Sequence, residues 1–466
     1  MICKSHPELS ITSLVYSKDA ALTWFAPLSG LPWAMILRSA AENHPDNRFD
    51  IVVADPLATI ESENGTNTIT DANGEVKTNT ADPFTAVQSL QQQLLPALSP
   101  IDDLPFIGGA LGYFSYDLGR QVEQISTLAE HDIPLPDLAL GIYDWALIVD
   151  HKNETVTLIE PKNGQRKTWL EQHKIAFTQA QIATDPIISH DFLLTSSWSS
   201  NMTCDSYRNK FNNIQEYLLS GDCYQINLAQ RFTANYKGDE WQAYLALESE
   251  NGAPFSGFIR LHQGAILSVS PERFLQLRDG YIETKPIKGT RPRSPNIDQD
   301  NANAQALQNA EKDRAENLMI VDLLRNDIGR VATPGTVRVP HLFKIESFPA
   351  VHHLVSTVTG ELPADHSATD LLKACFPGGS ITGAPKVRAM EIIEELEPHR
   401  RSIYCGSIGY ISRCGTMDTS ITIRTLVTNE QKIHAWAGGG IVADSDAGSE
   451  YQETLDKLSK ILPTLQ

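Results

Sequence analysis

Two pairs of carboxylates stand three residues apart, Asp313 with Glu316 and Glu450 with Glu453. On a helix that spacing puts both members of a pair on one face. Either pair can be a solvated face. Glu316, however, is followed by the apolar run Leu318-Met319-Ile320-Val321, which predicts a largely buried helix. A buried carboxylate needs a partner or a metal, and one or two carboxylates completed by water and substrate are how Mg²⁺ is held. Lys288 is the next candidate, in Lys285-Pro286-Ile287-Lys288-Gly289-Thr290-Arg291 at the end of an apolar strand. A lysine is ordinarily a solvated charge. In a closed site beside other cations, here Lys285, Arg291 and Arg293, it can lose its proton and act as a nucleophile. His353 reads as either a core histidine or a proton carrier. Arg424, in Thr422-Ile423-Arg424-Thr425, reads as a strand residue that faces either solvent or a carboxylate ligand. Gly438-Gly439-Gly440 is either a turn or a nest of backbone N–H groups for an anion.

Two glycine clusters fail as phosphate loops. In the stretch from Gly378 to Lys386, Ala384-Pro385 separates Gly383 from the lysine; Gly108-Gly109-Ala110-Leu111-Gly112 does not fit G-x-G-x-x-G. Both read as turns.

The elements that must position these residues are mostly strands. Phe49 to Val53 is a short apolar run, and Glu61 to Thr80 is a polar hairpin or loop. Leu138 to Val149 is mostly apolar and turns at Asp150 to Asn153 into Thr155 to Ile159, a hairpin. Lys162 to Asp185 is weakly helical. Tyr207, Phe211, Ile214 and Leu218 fall at helical spacing, with Gly221 as the stop. Tyr224, Ile226 and Leu228 alternate with polar residues as a half-buried strand. Ala265 to Ser270 and Tyr281 to Ile287 read as strands around Arg278-Asp279-Gly280. Ala306 to Ile328 reads as one long helix, the strands Tyr404 to Ser412, Asp418 to Thr428 and Lys432 to Trp436 as a meander, and Glu450 to Leu462 as a closing helix. Antiparallel neighbours with helices set apart give an α+β fold rather than a βαβ dinucleotide fold. A Ser/Thr-rich stretch near 195 divides the chain into regions 1–195 and 196–466.

The chain has 466 residues, enough for two or three domain equivalents, and 57 acids against 38 bases for a net charge of −19. That balance argues against nucleic-acid binding, since phosphates repel it. Ala20 to Leu37 is uncharged, but Pro27 and Pro32 interrupt it, so it reads as a core helix and a turn, with no membrane span. The six cysteines are scattered without a C-x-x-C pair, which suits reduced thiols in a cytoplasm.

Together the residues resemble the chorismate-utilising enzyme family. The matching stretches are Ser270-Pro271-Glu272-Arg273-Phe274, Pro286 to Arg293, Asp313 to Leu323, His353 to Ser356, Phe376 to Lys386, and Gly438 to Ser445. The N-terminal third carries its own matches at Leu31 to Met35, Arg48 to Ala54, Gly112 to Asp117 and Tyr143 to Ala146. The resemblance implies antiparallel sheets packed as a sandwich with helices outside. It also implies a branch. Lys288 is similar to the lysine of members that form 4-amino-4-deoxychorismate on the way to para-aminobenzoate and folate. Anthranilate-forming members usually have alanine there, and members that add water carry a lysine where Gln225 stands. Anthranilate formation is the alternative, and a non-catalytic binding protein on the same fold a more distant one.

The implied chemistry is a two-step substitution on chorismate. Lys288 attacks C2 as the C4 hydroxyl leaves, with Glu272 as acid and His353 orienting or protonating the leaving oxygen; ammonia then enters at C4 and expels the lysine. Glu316 and Glu453 are implied as Mg²⁺ ligands with Asp313 and Glu450 behind them. Gly289, Thr290, Tyr404, Arg424, Gly438, Gly439 and Gly440 are implied as substrate-binding. None of the cysteines lies in G-x-C-x-G, so the ammonia is implied to come from a separate glutamine amidotransferase subunit. A tryptophan pocket is implied at Ser39, Asp46, Asn47, Arg48, Phe49, Pro254, Phe255 and Ser256. Leu37-Arg38-Ser39 departs from the Leu-Glu-Ser of anthranilate-forming members, which leaves open whether tryptophan itself binds.

Overall fold

The structure, a computed structural model, describes residues 4–5, 7–40, 44, 46–183, 191–347 and 351–466. Cys3 and Asp185 lie outside the described residues, and with them those parts of the sequence reading. Among the described residues the strands form two sheets, one of 14 and one of 12 strands. The larger runs from Leu9–Leu14 through Phe49–Val53, Met35–Arg38, Phe255–Arg260 and Ala265–Ser270 to Thr425–Asn429, Lys432–Ile441 and Gln225–Lys237. The smaller begins at Ile287–Pro292 and Val351–Glu361. It continues through Arg273–Arg278, Met417–Ile421, Ser407–Ser412 and Gly109–Phe114 to the polar hairpin around Thr66–Asp71. Neighbouring strands pair antiparallel.

The central strands of the larger sheet are buried on both faces, which is why they read as continuous apolar runs rather than alternating ones. Ile51 and Val53 belong to the core between the sheets, together with Leu111, Phe274 and Leu275 of the smaller sheet. Val52 points the other way, into a second core formed with Phe25, Trp241, Tyr244 and Leu247 of the outer helices Ala20–Phe25 and Glu240–Asn251. Ile266 and Leu267 divide between the two cores in the same manner, as the period of two in a strand requires. The result is a two-sheet sandwich with helices outside. Strands from either side of residue 195 interleave in both sheets: Met35–Arg38 pairs with Phe255–Arg260, and Gly109–Phe114 with Ser407–Ser412. Among the described residues no helix is long and apolar enough to cross a membrane.

Several local readings are corrected. The segment from Ala306 to Ile328 holds two helices, Ile297–Gln308 and Glu311–Gly329, which part at Asn309-Ala310. Asp279-Gly280 turns between Arg273–Arg278 and Tyr281–Thr284, both residues at positive φ, while Ala265–Ser270 lies in the other sheet. The strand at Gln225–Lys237 is buried on both faces over its first eight residues, because the helices Cys204–Ser220 and Lys386–Leu396 cover its outer side. Gly108 to Gly112 is mostly strand; at Gly109 a side chain would collide with the backbone of Ile411. The run from Asp418 to Thr428 is no single strand. The chain leaves the smaller sheet after Ile421, crosses at Thr422 to Arg424, and enters the larger one at Thr425.

Candidate functional site

Lys288 lies on the edge strand Ile287–Pro292, paired with Val351–Glu361. At Gly289 the register slips: Lys288 faces Leu354, and Thr290 faces His353. Gly289 is the extra residue of a bulge, with φ +72°, and bulges re-aim the side chains beside them. A methyl group there would stand 2.8 Å from both Asp313 Cγ and Leu307 Cδ1, so the strand lies directly against the helix that carries the first acidic pair.

The Lys288 amine donates to the carbonyl oxygen of Ser380 at 3.2 Å. The Ser380 hydroxyl donates to Glu272 Oε1 at 3.0 Å. Burial pushes the Glu272 carboxyl up, while Lys288, Ser380 and Lys457 draw it back down. Glu316 is likewise raised by burial, opposed by Lys288 and Lys312 and reinforced by Asp313 and Glu450. Lys288 thus stands between two carboxyls. The neighbouring cations expected to assist it are committed elsewhere: Lys285 to Glu283 at 3.6 Å, Arg291 to Asp313 at 3.1 Å, and Arg293 to Asp300 at 2.8 Å. Each finds a carboxylate of its own, so the charge beside Lys288 is negative.

His353 Nδ1 lies 2.9 Å from the Thr290 hydroxyl. Burial and the nearby Arg424 guanidinium lower the imidazole to about 4, so the ring is neutral at pH 7. Arg424 occupies the sheet-to-sheet crossing at φ +50° and not a strand. Burial lowers its pKa, and among the described residues no carboxylate pairs with it. Tyr404 is buried and stacked on Trp436, with ring centres 6.1 Å apart.

Gly438 to Gly440 form no nest. They continue the strand Lys432–Ile441, paired with Asn227 to Ala229, and in an extended strand successive N–H groups point in alternating directions. Their lack of side chains opens space instead. A methyl group on Gly439 would stand 2.9 Å from Glu450 Oε2 and 3.7 Å from Glu453 Oε1, and one on Gly440 would collide with the Gln225 amide. Glu450 is buried and accepts from the Ser445 hydroxyl at 2.6 Å. Glu453, more exposed, pairs with Lys457 at 2.7 Å, and Lys457 also donates to the Gly438 carbonyl. Among the described residues no three His, Cys, Asp or Glu side chains converge to hold a metal by themselves.

Ser380 and Lys457 were absent from the sequence reading. Ser380 lies inside the glycine-rich stretch that fails as a phosphate loop; Lys457 lies one helical turn after Glu453, a spacing that marks an ion pair. Lys386, the lysine of the glycine-rich stretch, is buried against Asp327 at 2.6 Å and serves packing.

A second cavity, of about 230 Å³, is lined by Ser39, Asp46, Arg48, Phe49, Pro254, Phe255 and Ser256. Asn47, the remaining expected residue, is not among its lining residues. The Ser39 hydroxyl contacts the carbonyls of Asp46 and Pro254, each at 3.1 Å. Arg38 also lines the cavity and is paired with Asp50 and Glu248. Arg273, next in sequence to Glu272, reaches this cavity and is held by Asp418 and Asp46, so adjacent residues serve different sites.

The model of the chorismate binding enzyme family matches residues 36–463. The chain is 56% identical over 458 residues to aminodeoxychorismate synthase component 1 of Escherichia coli (strain K12), covering 98% of each. It is 57% identical over 459 residues to the component 1 of Klebsiella aerogenes, covering 98% of this chain and 99% of that one. The crystal structure of anthranilate synthase component I from Streptococcus pneumoniae TIGR4 superposes with a TM-score of 0.76 at 33% identity, covering 90% of this chain and 93% of that one. With its matches spanning nearly its whole length, the chain belongs to the family of chorismate binding enzymes.

Proposed function

We propose that this chain converts chorismate and ammonia to 4-amino-4-deoxychorismate, as the chorismate-binding component of an aminodeoxychorismate synthase, and that a separate glutaminase subunit supplies the ammonia. The observation that carries the reading is the full-length similarity to proteins named for that activity, joined to a lysine set between a buried carboxyl, Glu272, and a half-buried one, Glu316.

In the proposed reaction the neutral Lys288 Nζ bonds to C2 of the ring, both ring double bonds shift toward C4, the C4–O bond breaks and the hydroxyl leaves as water with one proton, the adduct nitrogen keeping its own protons until it is displaced. Glu272, whose burial favours the protonated form, supplies that proton. Neutral His353 orients the departing oxygen, since an imidazole lowered to about 4 holds no extra proton to give at pH 7. Ammonia then bonds to C4 and the C2–Nζ bond breaks, the electron pair returning to Lys288. One difficult displacement becomes two easier ones. Arg424, half-buried and paired with no carboxylate among the described residues, suits a substrate carboxylate.

The donor set around Gly439 fits Mg²⁺. It is all oxygen, and Glu316 is held up first by burial and then by its like-charged neighbours Asp313 and Glu450, a repulsion that a cation relieves. Glu316 and Glu453 would hold the ion, with Asp313 and Glu450 behind them. When bound, it would neutralise the substrate's ring carboxylate. The second cavity supports tryptophan as its occupant through the Phe49 and Phe255 rings and the polar groups at Ser39 and Asp46. The proposed setting is the cytoplasm, where scattered cysteines stay reduced.

The test is purified chain with chorismate, Mg²⁺ and ammonium, the products separated by chromatography. 4-Amino-4-deoxychorismate is expected; anthranilate alone would overturn the reading. Glutamine should replace ammonium only after a glutaminase subunit is added. Glutamine hydrolysis by the chain unaided would show the reading of the cysteines to be wrong.

A further inference from the structure

Lys288 lies on the edge strand Ile287–Pro292 and Glu272 in the short link between Ala265–Ser270 and Arg273–Arg278, and they meet through a third residue. Ser380 lies in the short turn Gly379–Ile381 and is 8% exposed. Its carbonyl accepts from Lys288 Nζ and its hydroxyl donates to Glu272 Oε1. The turn has little freedom. A side chain at Gly379 would collide with Leu323, on the helix that carries Glu316. A methyl group on Gly378 would stand 2.8 Å from Ile421 Cδ1. Further along, Lys386 fastens the same segment to Asp327 of that helix.

We infer that Ser380 is a positioning residue for the amination, holding the attacking amine of Lys288 and the proton-donating carboxyl of Glu272 in one fixed relation. This rests on the function proposed above. The carbonyl takes one N–H of the amine, which turns the nitrogen lone pair away from the turn. The hydroxyl occupies Oε1 of Glu272 and leaves Oε2 to carry the proton. A hydrogen bond to a carboxylate also favours its ionised form, so the hydroxyl opposes burial at Glu272. The other groups acting on that carboxyl are the amino groups of Lys288 and Lys457 and the Cys405 thiol.

The experiment compares wild type with Ser380→Ala and Ser380→Thr, measuring kcat, KM for chorismate, the pH profile of kcat, and the lysine adduct by intact mass after quenching. Ser380→Ala should lower kcat about 10- to 100-fold, less than the roughly 10²–10⁴-fold that a positioned acid contributes, because Glu272 itself remains. KM for chorismate should stay within about twofold. The limb that reports Glu272 should move to higher pH by about half a unit or more, because the lost hydrogen bond favoured the charged form. Ser380→Thr, which keeps the hydroxyl, should recover most of kcat and the original profile. A wild-type profile and kcat in Ser380→Ala would overturn the inference, as would a folded Ser380→Thr no better than alanine. Should the alanine variant not fold, Ser380→Cys, with its weak donor, should fall between; a cysteine variant equal to wild type would overturn the inference. Wild type that forms neither adduct nor aminated product would overturn the amination itself. An active wild type indifferent to Ser380 sinks only the positioning role.

Discussion

Replacing Lys288 by alanine tests covalent catalysis most directly. The substitution removes the amine that donates to Ser380 and the cation that lowers both Glu272 and Glu316. Without it both carboxyls should titrate higher still, which leaves Glu272 a protonated acid over a wider range of pH. What is lost is the tethered nucleophile. Well-aligned intramolecular groups reach effective concentrations of about 10⁵–10⁸ M. Even a modest value of about 10² M, set against about 0.1 M ammonium, is a loss near 10³-fold, or about 4 kcal/mol of barrier. Lys288→Ala should therefore form 4-amino-4-deoxychorismate at least about 10³-fold more slowly. Because Glu272, Glu316, Arg424 and the glycine strand remain, ammonia can still attack C2 directly, and some anthranilate-type product is expected instead. The assay is chromatography of both products, with intact-mass analysis of quenched samples: wild type should show a substrate adduct that the variant lacks. Near-normal 4-amino-4-deoxychorismate from the variant would reduce Lys288 to an electrostatic role.

Glu316→Gln and Glu453→Gln should each lower turnover sharply and raise the Mg²⁺ needed for half-maximal activity about tenfold or more, measured by metal titration, since each carboxylate alone is a weak ligand; full activity in a chelator with metal removal verified would contradict this. His353 should remain neutral down to about pH 5, read from side-chain nitrogen shifts, because burial and Arg424 hold it near 4. The sign follows from proton counting: between about 6.5 and 4 the unfolded chain binds the proton and the folded one does not. The His353 contribution to stability is therefore fully present above that window and falls as pH drops through it; an imidazole titrating above 6 would refute the assignment. Gly289→Ala should cost about 2–4 kcal/mol in denaturant unfolding, from the left-handed backbone and the crowding against Asp313 and Leu307, and should lower activity by displacing Lys288; an unchanged midpoint would show that the bulge relaxes freely.

The residue types that bear the chemistry, and much of the local structure, are legible in the order of amino acids alone. Helical spacing placed Asp313 with Glu316 and Glu450 with Glu453, and Gly221 stopped its helix, because these depend on contacts within a few residues. The α+β class was legible for the same reason. What only the tertiary structure decided was who meets whom. Lys285, Arg291 and Arg293 looked like neighbours of Lys288, yet each pairs with a carboxylate, and the charges beside the lysine come from residues 272 and 316. Arg424 looked like a strand residue because apolar neighbours mark burial and not which sheet buries them; the chain changes sheets there. Gly438 to Gly440 looked like a nest because glycine permits many conformations, and pairing with Asn227 to Ala229 selects the extended one. Ser380 carried no signal of its own. A serine in a glycine-rich turn gains a role only when Lys288 and Glu272, more than ninety residues away in sequence, are folded against its two oxygens.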